Sequence, residues 1–221
     1  MNSAIVVFPG SNCDQDLAKA INVVSPRKSL MLWHKETSIP KNTDIIFLPG
    51  GFSFGDYLRC GAMAAKSPIM KAIIKFANNG GYLVGICNGF QILTEAKLLP
   101  GVLIRNAKLR FICKEQAIRV ETNKSIFTKS FKENELISWQ IAHHEGNYYA
   151  NSNELEKLKD RDQIVLTYVG NPNGSVCNIA GVLSDNRRVI GMMPHPERSV
   201  EPNFTSKHGF TFFSSLVQEL T

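Results

Sequence analysis

GYLVGICNGFQILTEAKLL, residues 81–99, holds two patterns joined at one cysteine. From Tyr82 to Ile86 the chain is apolar with no polar alternation, as in a strand buried on both faces. From about Asn88 to Leu99 it reads as a helix that Pro100 stops. Cys87 sits at the change of pattern. A residue on so sharp a strand-to-helix turn needs small neighbours two positions away, and Gly85 and Gly89 meet that need. Gly-x-Cys-x-Gly is the thiol counterpart of the Gly-x-Ser-x-Gly nucleophile elbow. The helix N-terminus favours thiolate, and the Asn88 N–H is left free to bond a developing oxyanion.

Working outward, similar apolar runs end in glycine at 4–10 (AIVVFPG) and 44–51 (DIIFLPGG), and SLMLWH (29–34) is a further candidate strand. Helical stretches alternate with them. DQDLAKAINVV (14–24) puts Leu17, Ala18, Ile21 and Val24 on one face with Asp14 as N-cap, and 67–81 opens on Ser67-Pro68 and closes on Gly80. Strand, helix, strand at this spacing is βαβ logic. It predicts an α/β, doubly wound, mostly parallel central sheet flanked by helices. The second half carries strand-like runs at 110–121, 163–170, 174–184 and 187–195, with Gly170–Gly174 as a turn between two of them, and a closing helix at 206–220. These are expected as extra, partly antiparallel strands. No linker interrupts the chain, so 1–221 is read as one domain.

The 221 residues carry 25 basic and 19 acidic side chains, a net charge of +6, and 43% hydrophobic residues. The basic residues do not cluster as a nucleic-acid-binding run would, and no stretch approaches a membrane span. Five cysteines without CxxC or metal-ligand spacing point to a reducing, cytoplasmic setting and no metal. There is no GxxxxGK[ST] loop, so nothing suggests that ATP binds to this chain.

A nucleophilic thiol needs a base and a group to orient that base. His195, in MMPHPE, follows the run VIGMM, and Glu197 stands two residues on. Pro194 and Pro196 restrict the segment to extended backbone, where residues i and i+2 project to one side, so Glu197 can hold the imidazole. Gly50 and Gly51, in LPGGFSFGD (48–56), expose backbone N–H groups at a strand end, and Gly51 is the second oxyanion donor opposite Asn88. Ligands in open α/β sheets bind outside the carboxyl ends of the strands, where all three elements fall if the strands are parallel. Cys13 also lies between a strand and a helix but lacks the flanking glycines. Cys13, Cys60, Cys113 and Cys177 are read as core or incidental thiols. The residues alone leave a thiol hydrolase and a non-catalytic module with an acidified cysteine open.

These residues resemble the triad-type (class I) glutamine amidotransferases. The resemblance implies their flavodoxin-like fold, a Cys87–His195–Glu197 triad and a glutamine pocket with Gln91, Gly50 and Phe52. FPGSNCDQD, LPGGFSFGDYLRCGA, GICNGFQ, LIRNAKLRF, AHHEGNYYA and MMPHPER occur in the family's order between residues 8 and 198. They are similar to the branch that supplies ammonia in de novo purine synthesis. The resemblance implies two partners, a large synthetase subunit that carries ATP and magnesium and a small accessory subunit, with Arg105, Lys108, Arg110, Lys114 and Arg119 as a candidate docking surface. Where the family has His-Gly-Glu-Gly, this chain has His143-His144-Glu145-Gly146. A glutaminase of another biosynthetic pathway remains the alternative within the class.

Overall fold

The alternation of buried runs and amphipathic stretches becomes, in a computed structural model describing residues 1–201 and 207–221, the series β1 (Ser3–Val7), α1 (Asp14–Val24), β2 (Leu30–Trp33), β3 (Ile45–Leu48), α2 (Pro68–Asn78), β4 (Tyr82–Ile86) and α3 (Asn88–Glu95). There follow β5 (Val102–Ile104), β6 (Ile112–Val120), β7 (Leu136–His143), β8 (Asn147–Tyr149), α4 (Ser152–Asp160), β9 (Ile164–Tyr168), β10 (Ile179–Leu183), β11 (Val189–Met192) and α5 (His208–Glu219). Ser206, the first residue of the expected closing helix, lies outside the described residues.

Nine strands form one sheet in the order β2-β1-β3-β4-β11-β10-β9-β6-β7, and β5 pairs with β8 apart from it. β2, β1, β3, β4 and β11 are parallel, while β10, β9, β6 and β7 follow antiparallel. The extra strands therefore extend the main sheet. β11, the last strand in sequence, is parallel and pairs directly with β4, with Gly191 opposite Gly85 and Met192 opposite Ile86.

Both faces of β1, β3, β4 and β11 are covered, which is why these strands read as unbroken apolar runs, while the edge strand β2 stays partly exposed. Phe47 of β3 meets Phe213 of α5 at a ring-centroid distance of 6.2 Å. Its neighbour Leu48 faces Gly89 of α3 on the other side of the sheet. α1 packs beside α5, and Phe212 of α5 meets Trp139 of β7 edge to face. Each fully buried aromatic of this set contributes roughly 1.5–3 kcal/mol by leaving water.

Helix ends correct three expectations. The N-cap of α1 is Cys13, with Asp14 already in the first turn, where its charge favours the helix dipole. α2 stops as expected, with Gly80 at φ +87° and N–H bonds from Gly80 to Ala77 O and from Gly81 to Phe76 O. α3 ends four residues earlier than expected, because Lys97 at φ +61° makes the same stop through Lys97 N–H to Thr94 O and Leu98 N–H to Leu93 O. Pro100 is not the breaker. The start of the 174–184 run is a turn, since Cys177 and Asn178 have positive φ, and β10 begins only at Ile179.

Candidate active site

The sheet order brings the carboxyl ends of β3, β4 and β11 side by side, and with them Gly50-Gly51, Cys87 and His195. Cys87 holds φ +52°, ψ −106°, an uncommon conformation for a side-chain-bearing residue and the strain expected of an elbow. The flanking glycines are sterically required. A Cβ on Gly85 would stand 2.7 Å from the Gly89 carbonyl carbon, and one on Gly89 only 2.0 Å from the Leu48 carbonyl oxygen. The Cys87 N–H bonds Met192 O at 2.7 Å, tying the elbow to β11. The thiol is 95% buried, with Sγ 3.6 Å from Ala142 O at the end of β7. It is therefore a covered nucleophile rather than one held out in solvent.

His195 Nδ1 lies 2.6 Å from Glu197 Oε1, with both side chains 1% exposed. The route differs from the extended one expected. Pro196–Ser199 is a 3-10 turn with Pro196 at its start, where the fixed proline φ suits a helical turn. Glu197 reaches the imidazole by folding back over it. Burial works against a charged His195, but the Glu197 carboxylate and the Cys87 thiolate outweigh it and raise the ring's pKa. With Nδ1–H donated to Glu197, Nε2 is buried without a hydrogen-bond partner and is free to exchange a proton with the thiol. Such a pair can carry a proton between thiol, leaving group and water.

The Gly50-Gly51 turn presses on this pair. A Cβ on Gly50 would come within 2.8 Å of His195 Cε1 and 3.4 Å of Cys87 Cβ. Gly51 sits at φ +120°, and a Cβ there would meet Asn12 at 2.6 Å. The Asn88 side chain, fully buried, accepts the Ser53 N–H at 3.1 Å and donates to Gln91 Oε1 at 2.8 Å. It locks the donor loop to the elbow, a role beyond its backbone N–H. Gln91 Nε2 donates to Glu145 O at 2.6 Å. Gln91 is thus a strut between α3 and residues 143–146, with both ends of its amide engaged. Phe52 is half exposed at the rim.

Residues outside the sequence reading complete the surroundings. Asn106, fully buried, donates to His143 O and Arg110 O, and its Oδ1 accepts the Gly146 N–H at 3.1 Å and faces His143 Nδ1 at 3.1 Å. His143 is driven down to a pKa of about 4, by burial first and then by the charge of His195. His144, the departure from the family pattern, bonds Leu109 O through Nε2 at 3.3 Å. Cys13 is buried, with Sγ within 4.8 Å of ligand atoms of His195 and Glu197. Its thiol is pushed up to about 12, chiefly by burial and then by Glu197. It stays protonated and is no rival nucleophile. This trio is compact enough for a metal ion, but Arg198 Nη2, 3.3 Å from Cys13 Sγ, places a fixed positive charge against one. Cys60 is buried, whereas Cys113 and Cys177 are exposed.

The low pKa of His143 has a consequence for stability. Its folded value of about 4 lies below the ~6.5 of an unfolded histidine, so below pH 6.5 the unfolded chain takes up a proton that the folded one refuses. Stability falls as pH drops from about 6.5 to about 4, by on the order of 3 kcal/mol from this group. His143→Gln is expected to flatten that part of the stability curve relative to the parent, measured by urea unfolding at pH 7 and pH 4.5. Parallel curves would contradict it.

The fold is that of a class I glutamine amidotransferase. Residues 1–210 match the family described as the CobB/CobQ-like glutamine amidotransferase domain. A glutamine amidotransferase of Thermotoga maritima at 14% identity shares the fold with a TM-score of 0.62. Within that class the chain belongs to the family of the phosphoribosylformylglycinamidine synthase subunit PurQ. It is 53% identical over 221 residues to the PurQ of Ruegeria sp. (strain TM1040), covering 100% of this chain and 99% of that one. The PurQ of Zymomonas mobilis is 51% identical over 218 residues, covering 99% of each. A chain in the structure of PurLQS from Thermotoga maritima superposes with a TM-score of 0.91 at 40% identity, over 100% of this chain and 99% of that one.

Proposed function

We propose that this chain is the glutaminase subunit of phosphoribosylformylglycinamidine synthase. It hydrolyses glutamine to glutamate and ammonia and hands the ammonia to a large synthetase subunit, with a small accessory subunit completing the complex. The observation that carries the catalytic reading is the buried His195–Glu197 pair just past β11, the strand paired with β4 that leads into the Cys87 elbow. Membership of the PurQ family supports the choice of pathway.

The Cys87 thiolate attacks the side-chain amide carbon of glutamine, and the oxyanion so formed is held by the N–H groups of Gly51 and Asn88. Each such donor is worth about 3 kcal/mol. His195 gives its Nε2 proton to the departing nitrogen, leaving a thioester and neutral ammonia. It then takes a proton from water as that water attacks the thioester, releasing glutamate and restoring the thiol–imidazole pair. Gly50 and Phe52 border the substrate, and Gln91 holds the pocket's far wall. The partner uses ATP with magnesium to activate formylglycinamide ribonucleotide, which the ammonia converts to formylglycinamidine ribonucleotide. Among the described residues no helix is long and apolar enough to cross a membrane. A cytoplasmic setting suits a five-cysteine chain whose thiols are all free.

Ammonia release from glutamine, with and without the synthetase, tests the reading. Glu197→Gln in the same assay is expected to lower kcat by about 10²–10⁴, because the amide can stabilise neither the imidazolium nor its tautomer. A rate within threefold of the parent would remove Glu197 from the mechanism.

A further inference from the structure

Two loops flank the covered thiol, and both present large apolar side chains to water. In the loop after β3, Tyr57 is 76% and Leu58 91% exposed; in the loop before β6, Leu109 is 67% and Phe111 50% exposed. The loops meet at residues 144–145. The first loop reaches them through Asp56–Asn88–Gln91–Glu145 O, Arg105 of the second pairs with Glu145 at 3.5 Å, and His144 holds Leu109 O. Leu58 (φ +72°) and Leu109 (φ +53°) are held in the left-handed region, which disfavours branched side chains. Leu58 is nine-tenths and Leu109 two-thirds exposed, so little packing in this chain offsets that strain. Arg59 grips Glu95 through two bonds, so the first loop is fixed in this shape.

The unpaired charge around the apolar rim is basic, since Glu95 and Glu145 are each paired with an arginine. Lys108 and Arg110 lie on the second loop with no acidic partner among the described residues. A depression of about 520 Å³ beside Leu58 is lined by Met63, Lys66 and Lys97 and by the Arg59–Glu95 pair. The fold also sorts the basic residues that the sequence offered as one surface. Arg105, Lys108 and Arg110 stand at this rim, while Arg119 pairs with Leu136 near the far end of β6, roughly 25 Å away along the strand.

We propose that the rim formed by Tyr57, Leu58, Leu109 and Phe111 is the surface on which the large synthetase subunit docks. This rests on the function proposed above. Ammonia would form at Cys87, beside the loop that Asn88 bonds at Ser53 and Asp56; in water it would be protonated and lose its nucleophilicity, so the consumer has to seal this edge. The basic surround asks for a partner face that is apolar at its centre and acidic at its border. A second copy of this chain would bring like charges together.

Binding of the full chain to the immobilised synthetase, assembled with its accessory subunit, tests the proposal. Leu58→Asn is the sharper variant, because asparagine accepts the left-handed backbone. Its melting temperature is expected at or above the parent's while its Kd weakens at least tenfold. Leu58→Asp combined with Leu109→Asp is expected to weaken Kd at least 100-fold. Leu136→Asp, also at an exposed leucine (57%) but at the opposite end of β7, is expected to stay within threefold of the parent. Parental affinity for both rim variants, or an equal loss with Leu136→Asp, would overturn the surface. A parent that binds but releases no ammonia from glutamine overturns the functional reading, and the same binding data still decide the surface. A parent that does not bind overturns both.

Discussion

Cys87→Ser is expected to abolish glutamine-dependent synthesis by the assembled enzyme while leaving synthesis from added ammonia at the parental rate. The serine hydroxyl fits where the thiol is, so the elbow keeps its shape. What is lost is the proton equilibrium between thiol and His195. A hydroxyl, with its far higher pKa, yields almost no oxyanion to a base set for sulfur. Removing the nucleophile from a unit that acts together costs nearly the whole catalytic effect, so the fall in glutamine-dependent rate is expected to exceed about 10⁴. The ammonia-dependent arm separates chemistry from structure. Loss of both activities would assign Cys87 a packing role, and retention of glutamine-dependent activity would remove it from the mechanism.

Gly89→Ala is expected to break the site through the backbone. The added Cβ would stand 2.0 Å from the Leu48 carbonyl oxygen and 2.7 Å from its carbon. Leu48 belongs to β3, which is paired on both sides, with β1 and with β4, and cannot retreat. Relief must come from α3 lifting off the sheet, which drags Cys87 and Asn88 from the Gly50-Gly51 turn. The expected destabilisation is about 3 kcal/mol or more, which for a chain of this size lowers Tm by roughly 6–12 °C, and glutaminase activity is lost with it. Gly170→Ala is the comparison, since its Cβ would meet nothing within 4 Å and only its φ of +67° resists. It is expected to cost about 1 kcal/mol and leave the rate unchanged. Equal melting temperatures for the two variants would contradict the steric reading of the elbow.

The parallel half of the sheet and the elbow were legible because burial on both faces leaves a simple signature. Residues 45–48 and 189–192 are buried throughout, so their strands read as unbroken apolar runs. β7 was not recognised, although Leu136–His143 alternates burial along its length as a half-covered antiparallel strand does. Its signal is a period of two, fainter in the sequence than a continuous apolar run. α4 also carried a sign. The Asn151 side chain accepts the Glu154 N–H, an N-cap three residues before a glutamate, but only Leu158 of the helix is buried and the apolar stripe is faint. β5 and β8 have three residues each and pair only with one another, too little pattern to read.

The triad could be named because Cys87 and His195 each carried a local motif. Their surroundings could not, because they are assembled from distant segments. Cys13 meets Arg198 across 185 positions of sequence, and Asn106 organises the 143–146 loop from 37 to 40 residues away. Nothing in the flanking residues of Asn106 distinguishes it from a surface turn. The i, i+2 spacing of His195 and Glu197 was informative, but the backbone joining them was not the extended one it suggested.

The most direct test of the triad is covalent trapping with a diazo-ketone analogue of glutamine in the presence of the synthetase, read by intact-mass and peptide mass spectrometry. The account predicts one adduct per chain, on Cys87, with Cys13 unmodified and ammonia release lost in proportion to labelling. No adduct, or an adduct on Cys13 with Cys87 free, would contradict it.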